Sequence, residues 1–125
     1  MSTHTHIQAL VEQYFQGVYH GNTELLSQLF DPGAQVYGVI DGKPYHKTAA
    51  DYISGVGNRQ SPAELGEPYR MQLLAVEVLG DIANVRLHSP LLGFDYQLYL
   101  SFALRPEGWK IVNKTFTHPR SHRKD

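Results

Sequence analysis

Lys114 stands between Val112 and Phe116 in a stretch with the alternation of a β-strand, so an ammonium group is offered to an apolar face. Around it the chain spends aromatic residues unusually: eight tyrosines, at 14, 19, 37, 45, 52, 69, 96 and 99, against one tryptophan. Tyr14, Tyr19, Tyr37, Tyr52 and Tyr96 each fall on the apolar side of the segment that carries them. A buried phenol needs a hydrogen-bond partner. Several phenols converging between apolar walls would suit a planar, oxygen-rich or heteroaromatic molecule. The expected ligand-binding set is therefore Tyr14, Val18, Tyr37, Tyr52, Tyr96 and Lys114. The competing role for each is structural: a core ring whose hydroxyl reaches the rim, and a lysine that snorkels to the edge.

Other chemistries find less. His46, His88, Asp95 and Lys114 itself are the acid–base candidates, but His88 opposes Ala83, Val85 and Leu87 on its strand, and Asp95 lies on the polar face of its own. Alternating polar faces are usually solvated. His4 and His6 precede the first apolar stripe, and His118 and His122 flank a basic tail, so no histidine pair comes with a carboxylate at metal-ligand spacing. No metal or other cofactor is expected. Gly55-Val56-Gly57 lacks the third glycine of a dinucleotide fingerprint, and no G-x-S-x-G marks a nucleophile elbow.

The elements that must position these residues are legible. Phe94, Tyr96, Leu98, Leu100, Phe102 and Leu104 alternate with Asp95, Gln97, Tyr99, Ser101 and Ala103, which predicts a long half-buried strand. Arg105-Pro106-Glu107-Gly108 turns it into a second strand over 109–117. Such a hairpin needs neighbours, because two strands alone are marginal in water. Upstream, Ile7, Leu10, Val11, Tyr14, Phe15, Val18 and Tyr19 form one helical stripe, with Thr5 and Gln8 as a capping box and Gly21 as the stop. Asn22 caps a second helix carrying Leu25, Leu26, Leu29 and Phe30 inward, ended by Asp31-Pro32-Gly33. A strand over 34–40, the Asp41-Gly42 turn and a return strand over 43–46 follow. Thr48 with Asp51 opens a third helix, and Ser61-Pro62-Ala63-Glu64 forms one capped turn in the loop after it. Strands over 70–79 and 82–88 complete the set, the latter ended by Ser89-Pro90.

The 125 residues fit one domain, with residues 1–5 and 119–125 expected to fray. A net charge of −1 gives no electrostatic case for nucleic acid or an anionic membrane. With no cysteine, thiolate chemistry and disulfides are excluded. The polar start and the absence of a long apolar run predict neither secretion nor a membrane span, hence a cytoplasmic protein.

Helices segregated from a meander of strands indicate an α+β fold, three helices covering one face of a strongly curved, mostly antiparallel sheet. In that order the chain resembles the nuclear-transport-factor-2-like superfamily, and more narrowly the small bacterial family named for lumazine binding. The resemblance is carried by Tyr14-Phe15-Gln16-Gly17-Val18-Tyr19-His20-Gly21, Leu29-Phe30-Asp31-Pro32, Ser61-Pro62-Ala63-Glu64 and Gly80-Asp81-Ile82-Ala83. It continues in Tyr96-Gln97-Leu98-Tyr99-Leu100 and Gly108-Trp109-Lys110-Ile111-Val112-Asn113-Lys114. It implies a cone with a small-molecule pocket between sheet and helices. The superfamily hosts enzymes and non-enzymes alike. Where its ketosteroid isomerases carry their carboxylate base, this chain has Gly38, and Asp41 nearby is explained by its turn. Two functions stay open: a binding protein for a planar, pteridine- or lumazine-like ligand, and a cofactor-free lyase or isomerase of the polyketide-cyclase or dehydratase type. A two-fold homodimer through the convex sheet face is also expected, because Leu74, Val76 and Val78 oppose Leu73 and Leu79, leaving apolar residues on both faces.

Overall fold

The computed structural model describes residues 2–118. In chain order these form α1 (Thr3–His20), α2 (Thr23–Leu29), β1 (Phe30–Ile40), β2 (Lys43–Thr48), α3 (Ala49–Gly57), β3 (Gln72–Leu79), β4 (Ile82–Leu91), β5 (Phe94–Arg105) and β6 (Gly108–His118). The six strands make one open, curved sheet in the order β2-β1-β6-β5-β4-β3. All neighbours are antiparallel except β1 and β6, which the intervening elements join in parallel. The helices cover one face, α1 against β3 and α2, α3 against β1 and α2.

The helix signals hold, with shifted ends. Ser2, not Thr5, caps α1: its hydroxyl accepts the Thr5 N–H at 3.1 Å. Residues 2–5, expected to fray, are thus the cap and first turn, while 119–125 lie outside the described residues. Gly21 closes α1 in the left-handed region at φ 66°, and Asn22 caps α2 by accepting the Leu25 N–H at 3.1 Å. The second helix stops at Leu29, one residue early, and Phe30 already pairs with Ile111 in the sheet. The ladder then skips to Gln35, because Pro32 has no N–H and the Asp31 carboxylate takes that of Gly33 at 3.0 Å. Thr48 caps α3 through the Asp51 N–H, as its spacing predicts. Ser61 and Glu64 exchange side-chain-to-backbone bonds at 3.0 and 3.1 Å, a complete capping box.

Three rows of inward side chains cross the sheet. One runs Phe30, Ile111, Phe102, Ala83, Val78; a second Val36, Lys114, Leu100, Val85, Val76; a third Gly38, Phe116, Leu98, Leu87, Leu73. Most of these side chains are buried, which makes the rows the floor of the core under Ile7, Val11, Phe15 and Leu26. Two bulges set their phase. The β5–β6 register slips after Ser101, so Ile111 pairs with Phe102, and Ile111 instead of Val112 shares the buried face with Lys114 and Phe116. In β3 the slip falls at Leu74, which puts Leu73, Val76 and Val78 inward and leaves Leu74 exposed with Leu79. The expected grouping of Leu74 with Val76 and Val78 is corrected by that one extra residue.

Strand β4 also outruns its predicted end. It passes through Ser89-Pro90 to Leu91 and turns at Leu92-Gly93, both at positive φ (53° and 82°). Proline is tolerated there because β3 pairs with β4 only as far as His88, so the Pro90 nitrogen faces no partner strand.

Candidate functional site

Between the inner sheet face and the helices lies a cavity of about 150 Å³. Its wall includes Tyr14 and Val18 from α1, Tyr52 from α3, Tyr96 from β5 and Lys114 from β6, so five of the six expected residues meet. Tyr37 does not. In β1 the buried residues are Phe30, Ala34, Val36 and Gly38, and Tyr37 points the other way, 47% exposed and stacked on His46 at 4.6 Å. Sequence reasoning missed Tyr45, Arg59 and Phe116, which also line the cavity.

Helix α1 presents Tyr14 and Val18 because they sit four residues apart on its buried stripe. Gly17 lets α2 approach from the side: a Cβ there would come within 2.7 Å of the Leu26 side chain. Arg59 follows immediately on Asn58, the C-cap of α3, and the Ser61–Glu64 turn that succeeds it is tied to α1 by the Ala63 N–H bonding to the Tyr19 carbonyl at 3.0 Å. Lys114 enters from a row otherwise made of valine and leucine.

Lys114 is 8% exposed and donates from Nζ to the Tyr52 hydroxyl at 2.7 Å. The same nitrogen lies 4.0 Å from the centre of the Tyr52 ring, 5.3 Å from that of Phe116 and 5.7 Å from that of Tyr14. These rings partly replace lost hydration by cation–π attraction. Burial still holds the Lys114 ammonium below the usual lysine range, against the upward pull of Tyr52, and the Arg59 guanidinium adds to the lowering. For Tyr52 burial pushes upward, but Lys114, Arg59 and the Tyr14 phenol outweigh it and its acidity is increased. Tyr14 is pushed well above the normal phenol range by burial and by the Tyr52 phenol beside it. Burial likewise raises Tyr45 and Tyr96. One phenol is therefore poised to give up its proton and its neighbour to keep it.

This pattern has a measurable consequence. Free lysine and tyrosine titrate near ~10.4 and ~10. Because Lys114 and Tyr52 are depressed in the fold, the unfolded chain binds more protons in the window below those values, and stability rises with pH there. Above ~10 the raised phenols reverse the slope: Tyr14, Tyr45, Tyr96 and Tyr69, the last pushed up to about 12 by burial and the nearby Glu12, hold protons that the unfolded chain has lost. Denaturant midpoints measured across pH should peak on the alkaline side, and the double change Lys114→Met with Tyr52→Phe should flatten the rising limb. An unchanged rising limb would show that this pair does not carry it.

Of the acid–base candidates Lys114 lines the cavity, and the other three lie elsewhere. His88 Nε2 meets the Asp95 carboxylate on the outer side, in a surface hollow of about 490 Å³ that also takes in His118. His46 bonds to Gln35 at 2.7 Å and is exposed. No Asp, Glu or His is among the described residues that line the inner cavity. Gly38 is buried under Phe116, and a Cβ there would fall 2.4 Å from ring atoms, so no larger side chain fits at this position unless the phenyl ring moves.

A model of the family described as "Putative lumazine-binding" matches residues 2–117. Among solved structures, an NTF-2 like protein of unknown function from Silicibacter pomeroyi DSS-3 is 25% identical with a TM-score of 0.84, over 95% of this chain and 100% of that one. An NTF2-like protein of unknown function from Shewanella baltica OS155 is 18% identical with a TM-score of 0.79, over 96% and 99% of the two chains. One from Methylobacillus flagellatus KT is 19% identical with a TM-score of 0.77, over 96% of each. These likenesses establish the nuclear-transport-factor-2-like α+β fold. No curated protein matches the chain.

Proposed function

The chain belongs to the family described as "Putative lumazine-binding", and from that membership and the cavity we propose a single-domain, small-molecule-binding protein for a planar heteroaromatic of the lumazine or pteridine kind. The observation that carries the reading is the buried Lys114–Tyr52 pair, set in a wall of rings where packing alone would place aliphatics. A cavity of about 150 Å³ matches the space that holds one benzene ring and falls short of the ~300–1,000 Å³ of drug-sized sites. A lumazine would seat its pyrimidinedione ring inside and leave the second ring toward the mouth. The two carbonyls would accept from Lys114 and the phenols, and the ring faces would pack on Tyr14, Tyr45 and Phe116.

Titration with lumazine, followed by its own fluorescence, tests this. Tyr14→Phe and Tyr96→Phe should each weaken binding by the ~0.5–1.5 kcal/mol of one hydrogen bond while changing stability little. Tyr52→Phe should weaken binding too, and it should also cost ~1–3 kcal/mol of stability because the buried Lys114 ammonium loses its hydroxyl partner. Tyr37→Phe, on the outer face, should bind as the wild type does. A loss confined to Tyr37→Phe, or no saturable binding at all, would contradict the assignment.

A second reading, a lyase or isomerase of the polyketide-cyclase or dehydratase type, is favoured by one observation: the acidified Tyr52 phenol beside an ammonium could pass a proton to and from a bound ring. The absence of a carboxylate or histidine from the described lining puts it second.

Assembly is a separate proposal. The outer sheet face exposes Tyr37, Val39, Leu79, Ile82 and Tyr99, and a second copy would cover them across a two-fold axis. Light scattering at micromolar protein should give twice the mass of the chain, and the monomer mass would refute it. No helix among the described residues is long and apolar enough to cross a membrane, and a cytoplasmic setting is the one we propose.

A further inference from the structure

Lys114 and Arg59 are both cationic side chains of the cavity wall, and nothing described there opposes them. The lining contains no carboxylate. None of the ion pairs among the described residues involves either cation. Lys114 reaches only a neutral hydroxyl, and the Nε–H of Arg59 is buried without a hydrogen-bond partner. Two like charges that share a poorly hydrated space repel each other, and each has surrendered water without gaining a counter-charge. A chain that needed only to fill this space would place an aliphatic residue at 114, as it does at Val36, Leu100 and Val85 in the same row. The unsatisfied guanidinium donor is a second, independent sign of the same vacancy in charge.

We infer that the ligand supplies the missing charge: the cavity takes a small planar organic oxyanion, a ring bearing a carboxylate or an enolate. The oxyanion would sit between Lys114 Nζ, the Tyr52 hydroxyl and Arg59 Nε, with its ring against Tyr14, Tyr45 and Phe116. This rests on the ligand-binding reading above and adds the charge state. Arginine is suited to the task because its planar fork holds a carboxylate in fixed geometry and it is more weakly hydrated than an ammonium.

Benzoate and benzamide, nearly identical in shape and different in charge, separate the possibilities by calorimetric titration of the full chain at fixed salt and neutral pH. Benzoate should bind at least about tenfold more tightly, the scale of a hydrogen bond to a charged group. Arg59→Gln and Lys114→Met should each remove most of that preference, weakening benzoate far more than benzamide, and Arg59→Lys should restore part of it. Arg59 is only half-buried, so Arg59→Gln should fold even if Lys114→Met does not, and unfolding curves check both. Equal wild-type affinity for the two probes would overturn the anion assignment and leave the cavity reading standing. So would a preference untouched by Arg59→Gln and Lys114→Met. Binding of neither probe, with no binding of lumazine, would overturn both readings.

Discussion

Phe102→Ala is expected to lower stability by about 3–5 kcal/mol, the usual cost of emptying a buried phenyl site. Phe102 is 1% exposed and sits in the row between Ala83 and Ile111, under the helices. Its neighbours are held in the sheet by their own ladders, so they cannot collapse fully into the space it leaves. Because Phe102 is not part of the cavity wall, ligand affinity should survive under conditions where the variant still folds. A denaturation midpoint close to the wild type would mean that β5 does not present this face to the core.

Gly38→Ala should act on both stability and binding. Its added methyl would lie 2.4 Å from two atoms of the Phe116 ring and 2.8 Å from a third. No carbon atoms approach so closely, and the ring is stiff, so it must swing away from β1. The cavity it lines offers it free space. Overpacking of this kind costs about 1–3 kcal/mol, and the displaced ring would occupy the room meant for the ligand. A midpoint and an affinity both equal to the wild type would place the Phe116 ring elsewhere.

The contrast between these residues marks what the sequence could convey. Phe102 was readable because ten residues alternate without interruption around it. So were the helices, whose stripes and caps are local signals; Thr48 and Asn22 cap where their spacing says. The fold followed from the order of those elements and from the family resemblance. Tyr37 was misplaced because Val36, Tyr37, Val39 and Ile40 are apolar on both sides of a glycine, and nothing local fixes which side faces in. The phase comes from the parallel pairing with β6, where Gly38 lies opposite Phe116, a contact 78 positions away in the chain. Val112 and Leu74 were misread for a related reason: a single bulge residue inverts the face of everything beyond it. Arg59 was invisible. It stands in a loop with no periodicity, and its burial depends on the Ser61–Glu64 turn folding back onto α1. The capped turn itself was legible, and reading it as an anchor would have pointed to the Arg59-Gln60 link before it.

Acid–base and binding readings of Lys114 share the same geometry, so the central claim is the location and content of the cavity. Fluorine NMR of the chain labelled with 3-fluorotyrosine addresses it directly, each of the eight signals being assigned by single Tyr→Phe changes. Addition of lumazine should shift the signals of Tyr14, Tyr45, Tyr52 and Tyr96 together along one saturable curve and leave Tyr37 and Tyr99, on the outer face, where they were. Shifts confined to Tyr37 and Tyr99, or no shift at saturating ligand, would contradict a ligand site between the sheet and the helices.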